Sequence, residues 1–394
     1  MVYLDSNATT RPTEAVVRAM LESLTDRWHN PSSIHRPGQQ AKAAVELARQ
    51  SVARLINCKP AEIILTSGGT EALDLAIRGA LAAPGAKAAG AGGKPVLVST
   101  PIEHEAVRGL CADLARRGLA ELRLLPVTRG GFVDMGAAER VIDGAVTLVT
   151  VMWANNETGV VQPVEALGRL CRERGALFHC DATQWVGRMP TDVQTTPIDL
   201  MNISAHKFHG PKGAGALYVR RGVRVSPVIH GSQEMERRGG TENTAGIVGL
   251  GVACDEARRW LADPANRERG AALRDRFERA VLERVPDAVV NGATDPDLRL
   301  WNTANISFPR LESEALLLLL SERGVCASAG AACSSGSLEP SPILAAMGVP
   351  REVAHGAVRF SISRETTDAE IDEAIETVAG CAERLRQSMA AFAR

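Results

Sequence analysis

The chain has few aromatic residues, 4% of 394, and no long apolar run. A membrane-spanning helix needs roughly 18 uninterrupted apolar residues, and the best run, Ala315 to Leu320, is far shorter. A membrane partner is therefore not expected. There is no excess of one charge: 45 Lys and Arg stand against 46 Asp and Glu, a net charge of -1. Binders of a phosphate backbone gather a basic excess on one face, so nucleic acid is not expected as a partner. The N-terminus, Met1-Val2-Tyr3-Leu4-Asp5, lacks the basic start and apolar stretch of a secretory signal, which predicts a cytoplasmic protein. No CxxC pair occurs among the eight cysteines, which argues against a zinc ribbon and predicts no metal site. Eight thiols in a chain this long also make no disulfide framework, and most read as small apolar packing residues.

Hydrophobic residues make up 45% of the chain, enough for a substantial core. A single core stops growing at about 250–300 residues, which predicts two domains. Short Val-, Ile- and Leu-rich runs alternate with stretches of helical spacing, the pattern of parallel strands joined by crossover helices. The predicted strands are 62–66, 95–100, 121–126, 146–152, 177–180, 200–204 and 214–219, with helices over 70–81, 104–117 and 164–174 among the connections. Beyond them, helical patterns over 251–264 and 266–285 lead into a second unit with an extended segment at 305–308, a helix over 313–323 and a last helix from Thr367. Residues 82–94 (AAPGAKAAGAGGK) read as a surface loop.

Sheets of this kind place ligands at the C-terminal ends of their strands. One strand ends at Ser204, and Ala205-His206-Lys207-Phe208-His209-Gly210-Pro211 follows it. A lysine held there forms a Schiff base with an aldehyde once burial or a neighbouring cation lowers its pKa; alone, it reads as a surface lysine. The strand ending near Cys180 carries Asp181, followed by Ala182-Thr183-Gln184. A carboxylate there can keep the pyridinium nitrogen of pyridoxal 5'-phosphate protonated, and Gln184 can reach the ring hydroxyl; the competing reading of Asp181 is a helix N-cap. Thr66-Ser67-Gly68-Gly69-Thr70 opens a helix whose amide groups suit a phosphate, or forms a plain glycine turn. His104 and the pair Asn155-Asn156 follow two further strands. A thiol, Cys333, sits in a run of small residues from Ala327 to Ser337, suited to a mobile nucleophile or to a linker with an incidental cysteine.

These motifs resemble the cysteine desulfurases of the NifS/IscS type, in the fold-type I, class V aminotransferase group. YLDSNATT at Tyr3, NPSSIHRPG at Asn30, TSGGTEALDLAI at Thr66, EHEAV at Glu103, NNETG at Asn155, HCDATQWVG at His179, SAHKFHGPKGAGALYVRR at Ser204, RRGGTENT at Arg237, ACSSGSLEPS at Ala332 and VRFSISRETT at Val358 carry the resemblance over nearly the whole chain. The long segment before SLEPS resembles the group I branch.

The resemblance implies an α/β fold: a large domain with a mostly parallel central sheet over 16–255, and a smaller α+β domain over 256–394 that carries a catalytic-cysteine loop at about 326–338. Residues 1–15 would join the smaller domain. Lys207 would hold pyridoxal 5'-phosphate, Asp181 would pair with the ring nitrogen, His104 would stack on the ring and assist proton transfer, and Asn156 and Gln184 would contact the ring oxygen. Gly69, Thr70, Ser204 and His206 would hold the phosphate, joined by Thr241 from the second subunit of a homodimer. Arg359 would clamp the carboxylate of the substrate L-cysteine, helped by Asn155, and Cys333 would accept its sulfur as a persulfide while L-alanine leaves. An iron–sulfur scaffold or other acceptor protein would then take the sulfur, with a nitrogen-fixation system as one destination. Two departures from the family pattern stand out: Ala329 to Ala332 read AGAA before the cysteine, and Gly231-Ser232-Gln233 replaces a more glycine-rich stretch near Thr241. The rival readings are a related enzyme acting on selenocysteine or another amino acid, and a non-catalytic binding protein on the same fold.

Overall fold

The computed structural model of the chain describes residues 1–329 and 340–392. Cys333, the predicted sulfur acceptor, lies outside the described residues, as does most of its loop.

The central sheet has seven strands: β2 (Ile63–Thr66), β3 (Val96–Ser99), β4 (Glu121–Leu124), β5 (Val146–Met152), β6 (Leu177–Asp181), β7 (Leu200–Ser204) and β8 (Gly215–Val219). Their order is β2-β8-β7-β6-β5-β3-β4, parallel except for β8, which runs antiparallel to both neighbours. All seven residues of β5 are buried, as expected of a strand covered on both faces, which is why it reads as a continuous apolar run. Because β8 reverses direction, β7 connects to it through the short segment 205–214 at the carboxyl edge of the sheet, and this places Lys207 on the edge where ligands collect.

The helix Thr244–Leu261 lies against the helix Arg36–Leu55. A Cβ added to Gly251 would come within 2.7 Å of the Ala48 Cα, so the close approach of the two helices requires glycine there. The helix begins seven residues before the 251 predicted from sequence, because the Asn243 side chain accepts a hydrogen bond from Gly246 N at 3.1 Å and caps it. Asp263 caps the next helix, Pro264–Arg284, with proline in its first turn.

A second, antiparallel sheet has the order β12 (Ser328–Ala329), β13 (Ala357–Ser361), β10 (Thr303–Ser307) and β9 (Val289–Val290). It packs with Pro264–Arg284 and the long helix Asp368–Phe392 around a separate core that includes Phe277, Ile306, Phe360 and Ile371. Val2 and Leu4 belong to this core, and β1 (Val2–Tyr3) pairs in parallel with β11 (Val325–Cys326). The N-terminal segment then crosses to the large sheet, where Thr10 N donates to His206 O at 2.9 Å. Among the described residues no helix is long and apolar enough to cross a membrane.

Candidate active site

The C-terminal ends of β2, β5, β6 and β7 surround a cavity of about 350 Å³. Gly69, Thr70, His104, Asn156 and Asp181 line it, together with Gln184, Ser204, His206 and Lys207. These positions are spread over 139 residues of sequence (69 to 207) and meet because parallel strands end side by side.

At one end of the cavity β2 stops at Thr66 and the helix Gly69–Leu81 begins. A Cβ on Gly69 would lie 3.1 Å from Thr183 Oγ1 and 3.3 Å from Ser204 Cβ, so a side chain there would intrude on the cradle. The helix N-terminus, the hydroxyl groups of Thr70 and Ser204 and the imidazole of His206 provide a site with neutral donors for a phosphate. His206 Nδ1 lies 3.1 Å from Thr9 Oγ1, and burial, reinforced by the charge on Lys207, pushes the imidazole down to about 4.

Asp181 closes β6 with its Oδ1 fixed by Asn202 Nδ2 at 2.8 Å and by Thr183 N at 3.0 Å. The N-cap expectation fails here, since no helix follows and the carboxylate instead bonds within its own turn. His179, two residues earlier and fully buried, bonds Thr150 Oγ1 at 2.8 Å, and burial pushes it down to about 4, so it stays neutral. His104 caps the helix Glu105–Arg116: its Nδ1 accepts from Ala106 N at 3.2 Å, and burial lowers its pKa. A neutral imidazole with Nδ1 so engaged carries its proton on Nε2. Glu103, beside it, is wholly buried and pushed up to about 8, so it too is uncharged near neutral pH.

Lys207 occupies the single turn of 3-10 helix after β7. Its Nζ donates to Asn7 O at 2.7 Å and to Ala8 O at 2.9 Å. Burial, then the cations Arg188 and Arg359, push the amine down to about 8. That is the property the sequence required of a Schiff-base lysine.

Three predicted residues do not line the cavity. Asn155 is used up in its own turn: Oδ1 accepts from Glu157 N and Thr158 N, both at 2.9 Å, and Nδ2 donates to Ile102 O at 3.0 Å. It is 1% exposed and is not among the residues that line the cavity. Arg359, on β13, is 2% exposed, with Nη2 on Asp5 Oδ1 at 2.8 Å and Nη1 on Asn156 O at 2.9 Å; its buried Nε has no partner among the described residues. It reaches the cavity wall through Asn156, whose Oδ1 is also buried and has no partner among the described residues. Thr241 is exposed on this chain and apart from the cavity.

Sequence reasoning missed Asn7, Arg188 and Asn202, which fix Lys207, Gln184 and Asp181 from behind. Asn7 and Arg188 lie inside or beside quoted motifs, but neither residue type at its spacing announces a role.

The class-V aminotransferase family matches residues 2–374. The chain is 47% identical over 387 residues to a cysteine desulfurase of Trichormus azollae, covering 98% of this chain and 94% of that protein. The solved structure of a NifS-like protein superposes with a TM-score of 0.88 at 33% identity, covering 98% of this chain and all of the other. The structure of SspA in complex with cysteine does so with a TM-score of 0.80 at 32% identity, covering 93% and 100%. With a buried strand-end lysine, a fixed carboxylate and a helix-capped cradle in one cavity, the chain belongs to the pyridoxal-phosphate-dependent cysteine desulfurases of the class-V aminotransferase family.

Proposed function

We propose that this chain acts on L-cysteine as a cytoplasmic homodimer, with Lys207 as the cofactor lysine and Cys333 as the sulfur acceptor. The observation that carries the reading is the amine of Lys207, lowered to about 8, in the same cavity as the fixed carboxylate of Asp181. Pyridoxal 5'-phosphate fits the residues present: the cradle at Gly69, Thr70, Ser204 and His206 suits its phosphate, Asp181 its ring nitrogen, and the unpartnered Asn156 Oδ1, with Gln184, the polar edge of the ring. Bound there, the cofactor supplies an electron sink for the pair released at the substrate's α-carbon.

The chain's own groups do the rest. The free Lys207 amine takes and returns the α-proton, which a pKa near neutrality favours. Arg359 presents a fork to the substrate carboxylate after exchanging it for Asp5. His104, neutral with a proton on Nε2, is placed to exchange protons with a thiol. The Cys333 thiolate attacks the substrate sulfur; an S–S bond forms as the C–S bond breaks, and the carbon fragment leaves as L-alanine after protonation. Five of the described cysteines support this assignment by their chemistry: burial pushes Cys58, Cys111 and Cys171 up to about 12, and Cys180 and Cys254 higher, so none of these five is a ready nucleophile.

The exposed Thr241 is available to the site of a second copy, and Leu21, Leu24 and Trp28 are large apolar groups more than half exposed on this chain, which supports association. An iron–sulfur scaffold protein is the proposed sulfur acceptor, and thiol chemistry of this kind suits a reducing compartment. For the domains, we place the division at the break between Leu261 and Pro264 rather than at 255, since Ala257 packs in the large core.

Purified protein given L-cysteine should release alanine and sulfide and carry extra sulfur on the Cys333 peptide. Cys333→Ser should bind cysteine yet release no alanine. Full activity in that variant, or extra sulfur mainly on another cysteine, would remove Cys333 from the mechanism.

A further inference from the structure

Arg188 is 5% exposed, and all five of its N–H groups end on uncharged oxygens. Nε and Nη2 donate to Lys207 O at 3.2 and 2.9 Å, Nη2 also donates to Ser6 O at 2.9 Å, and Nη1 donates to Asn7 Oδ1 at 2.8 Å and to Gln184 Oε1. Among the described residues no carboxylate offsets its charge; the one ionised group acting on it is another cation, Arg359. A buried charge without a counter-ion is costly, and an apolar side chain of similar size would fill the space at lower cost. The cation is therefore to be explained by what surrounds it. Its acceptors converge on one object. It binds the backbone of Lys207, and it binds Ser6 and Asn7, the segment whose carbonyl groups at Asn7 and Ala8 hold the Lys207 amine. It also orients Gln184, whose Nε2 donates to Asn7 O at 3.0 Å.

We propose that Arg188 is the positioning residue for Lys207: it ties the lysine's backbone to the N-terminal segment that holds its amine, and it keeps an uncompensated positive charge behind that amine. The charged groups facing Lys207 are Arg188 and Arg359 on one side of the balance and Asp181 and Asp5 on the other, with His104 and His206 neutral. Asp5 is already paired with Arg359, so Arg188 supplies the positive field that remains. Burial acts first on the lysine and the Arg188 charge next, in the same direction. Charge and tether are separable. A lysine at 188 keeps the charge but cannot reproduce all five hydrogen bonds, whereas a glutamine keeps polarity and loses the charge.

The inference rests on Lys207 being the cofactor lysine, and its test is spectroscopic. The visible absorbance of the lysine-bound cofactor in the holoenzyme is titrated with pH. Arg188→Gln should raise the midpoint by about one pH unit, the effect of removing a nearby unit charge. Arg188→Lys should hold the wild-type midpoint while releasing cofactor faster, a split that a purely structural role would not produce. Asn7→Asp, which sets a carboxylate against the guanidinium, should raise the midpoint as well, and it tests the charge even where the glutamine variant does not fold. A midpoint unmoved in Asn7→Asp and Arg188→Gln, or displaced equally by lysine and glutamine, overturns the proposal. A wild-type holoenzyme with no lysine-bound absorbance at all removes the parent reading as well.

Discussion

The two walls of the cavity reach Lys207 by different routes. On the large-sheet wall, each polar group stands at or just after the end of a strand: Gly69 and Thr70 after β2, Asn156 after β5, Asp181 on β6, Ser204 on β7. Regular structure alone gathers them. The opposite wall has no such regularity. Behind Lys207 and Gln184, which line it, stand the stretch Asp5–Thr10, Arg188 and Arg359, held by hydrogen bonds between residues up to 354 positions apart, such as Arg359 to Asp5. Chemistry that a strand end can present is repeated along the chain as short motifs. Chemistry that requires the second sheet to dock on the first has no such repeated pattern: Arg359 was named only through the family resemblance of its motif, and Arg188 was not named.

Breaking the group on which both walls converge should have the largest effect. Lys207→Ala should lower turnover by about 10³-fold or more through loss of the base alone, and abolish the lysine-bound absorbance, while the chain stays folded. Turnover comparable to wild type would show that the walls converge on the wrong residue.

Arg359→Ala tests the second wall on its own. Losing a charge-assisted bidentate contact of about 1.5–3 kcal/mol should raise the KM for L-cysteine about 10- to 150-fold, with cofactor absorbance retained. Titration with a cysteine analogue gives the binding component directly, and unchanged affinity would leave Arg359 as a structural partner of Asp5.

The smallest effect on catalysis belongs to Asn155, which sequence reasoning placed with the substrate. Asn155→Ala should leave analogue affinity unchanged and destabilise the fold by about 1–3 kcal/mol, since Glu157 N and Thr158 N lose their acceptor in a buried turn. A thermal melt that does not shift, joined to weaker analogue binding, would return Asn155 to the substrate.

The same division explains what could be read from the sequence. The alternation of apolar runs and helical stretches located all seven strands of the central sheet to within a few residues, and the strand-end motifs, read with the family resemblance they carry, named nine residues that line one cavity. The helix Thr244–Leu261 was only half legible, because Gly246, Gly249 and Gly251 lower helix propensity, although Gly251 serves the close contact with the helix Arg36–Leu55 and Gly249 one with Met20 and Pro211. The strand β13 was not expected, although it carries Arg359, because its residues are identifiable as a strand only beside β10 and β12. Asn155 and Asn156 are neighbours of one residue type, and only the hydrogen-bond pattern tells the turn-former from the cavity residue. Arg188 looks like any surface arginine until its four acceptors are in place.

The central claim, that Lys207 is where this fold holds its cofactor, is tested most directly by reducing the holoenzyme with borohydride and mapping the pyridoxyl group by peptide mass spectrometry. The chain has five other lysines, Lys42, Lys59, Lys87, Lys94 and Lys212, so the map distinguishes every alternative. The account predicts the adduct on the peptide containing Lys207 and on no other. An adduct on any of the remaining five, or none on a protein that still releases alanine from L-cysteine, would contradict it.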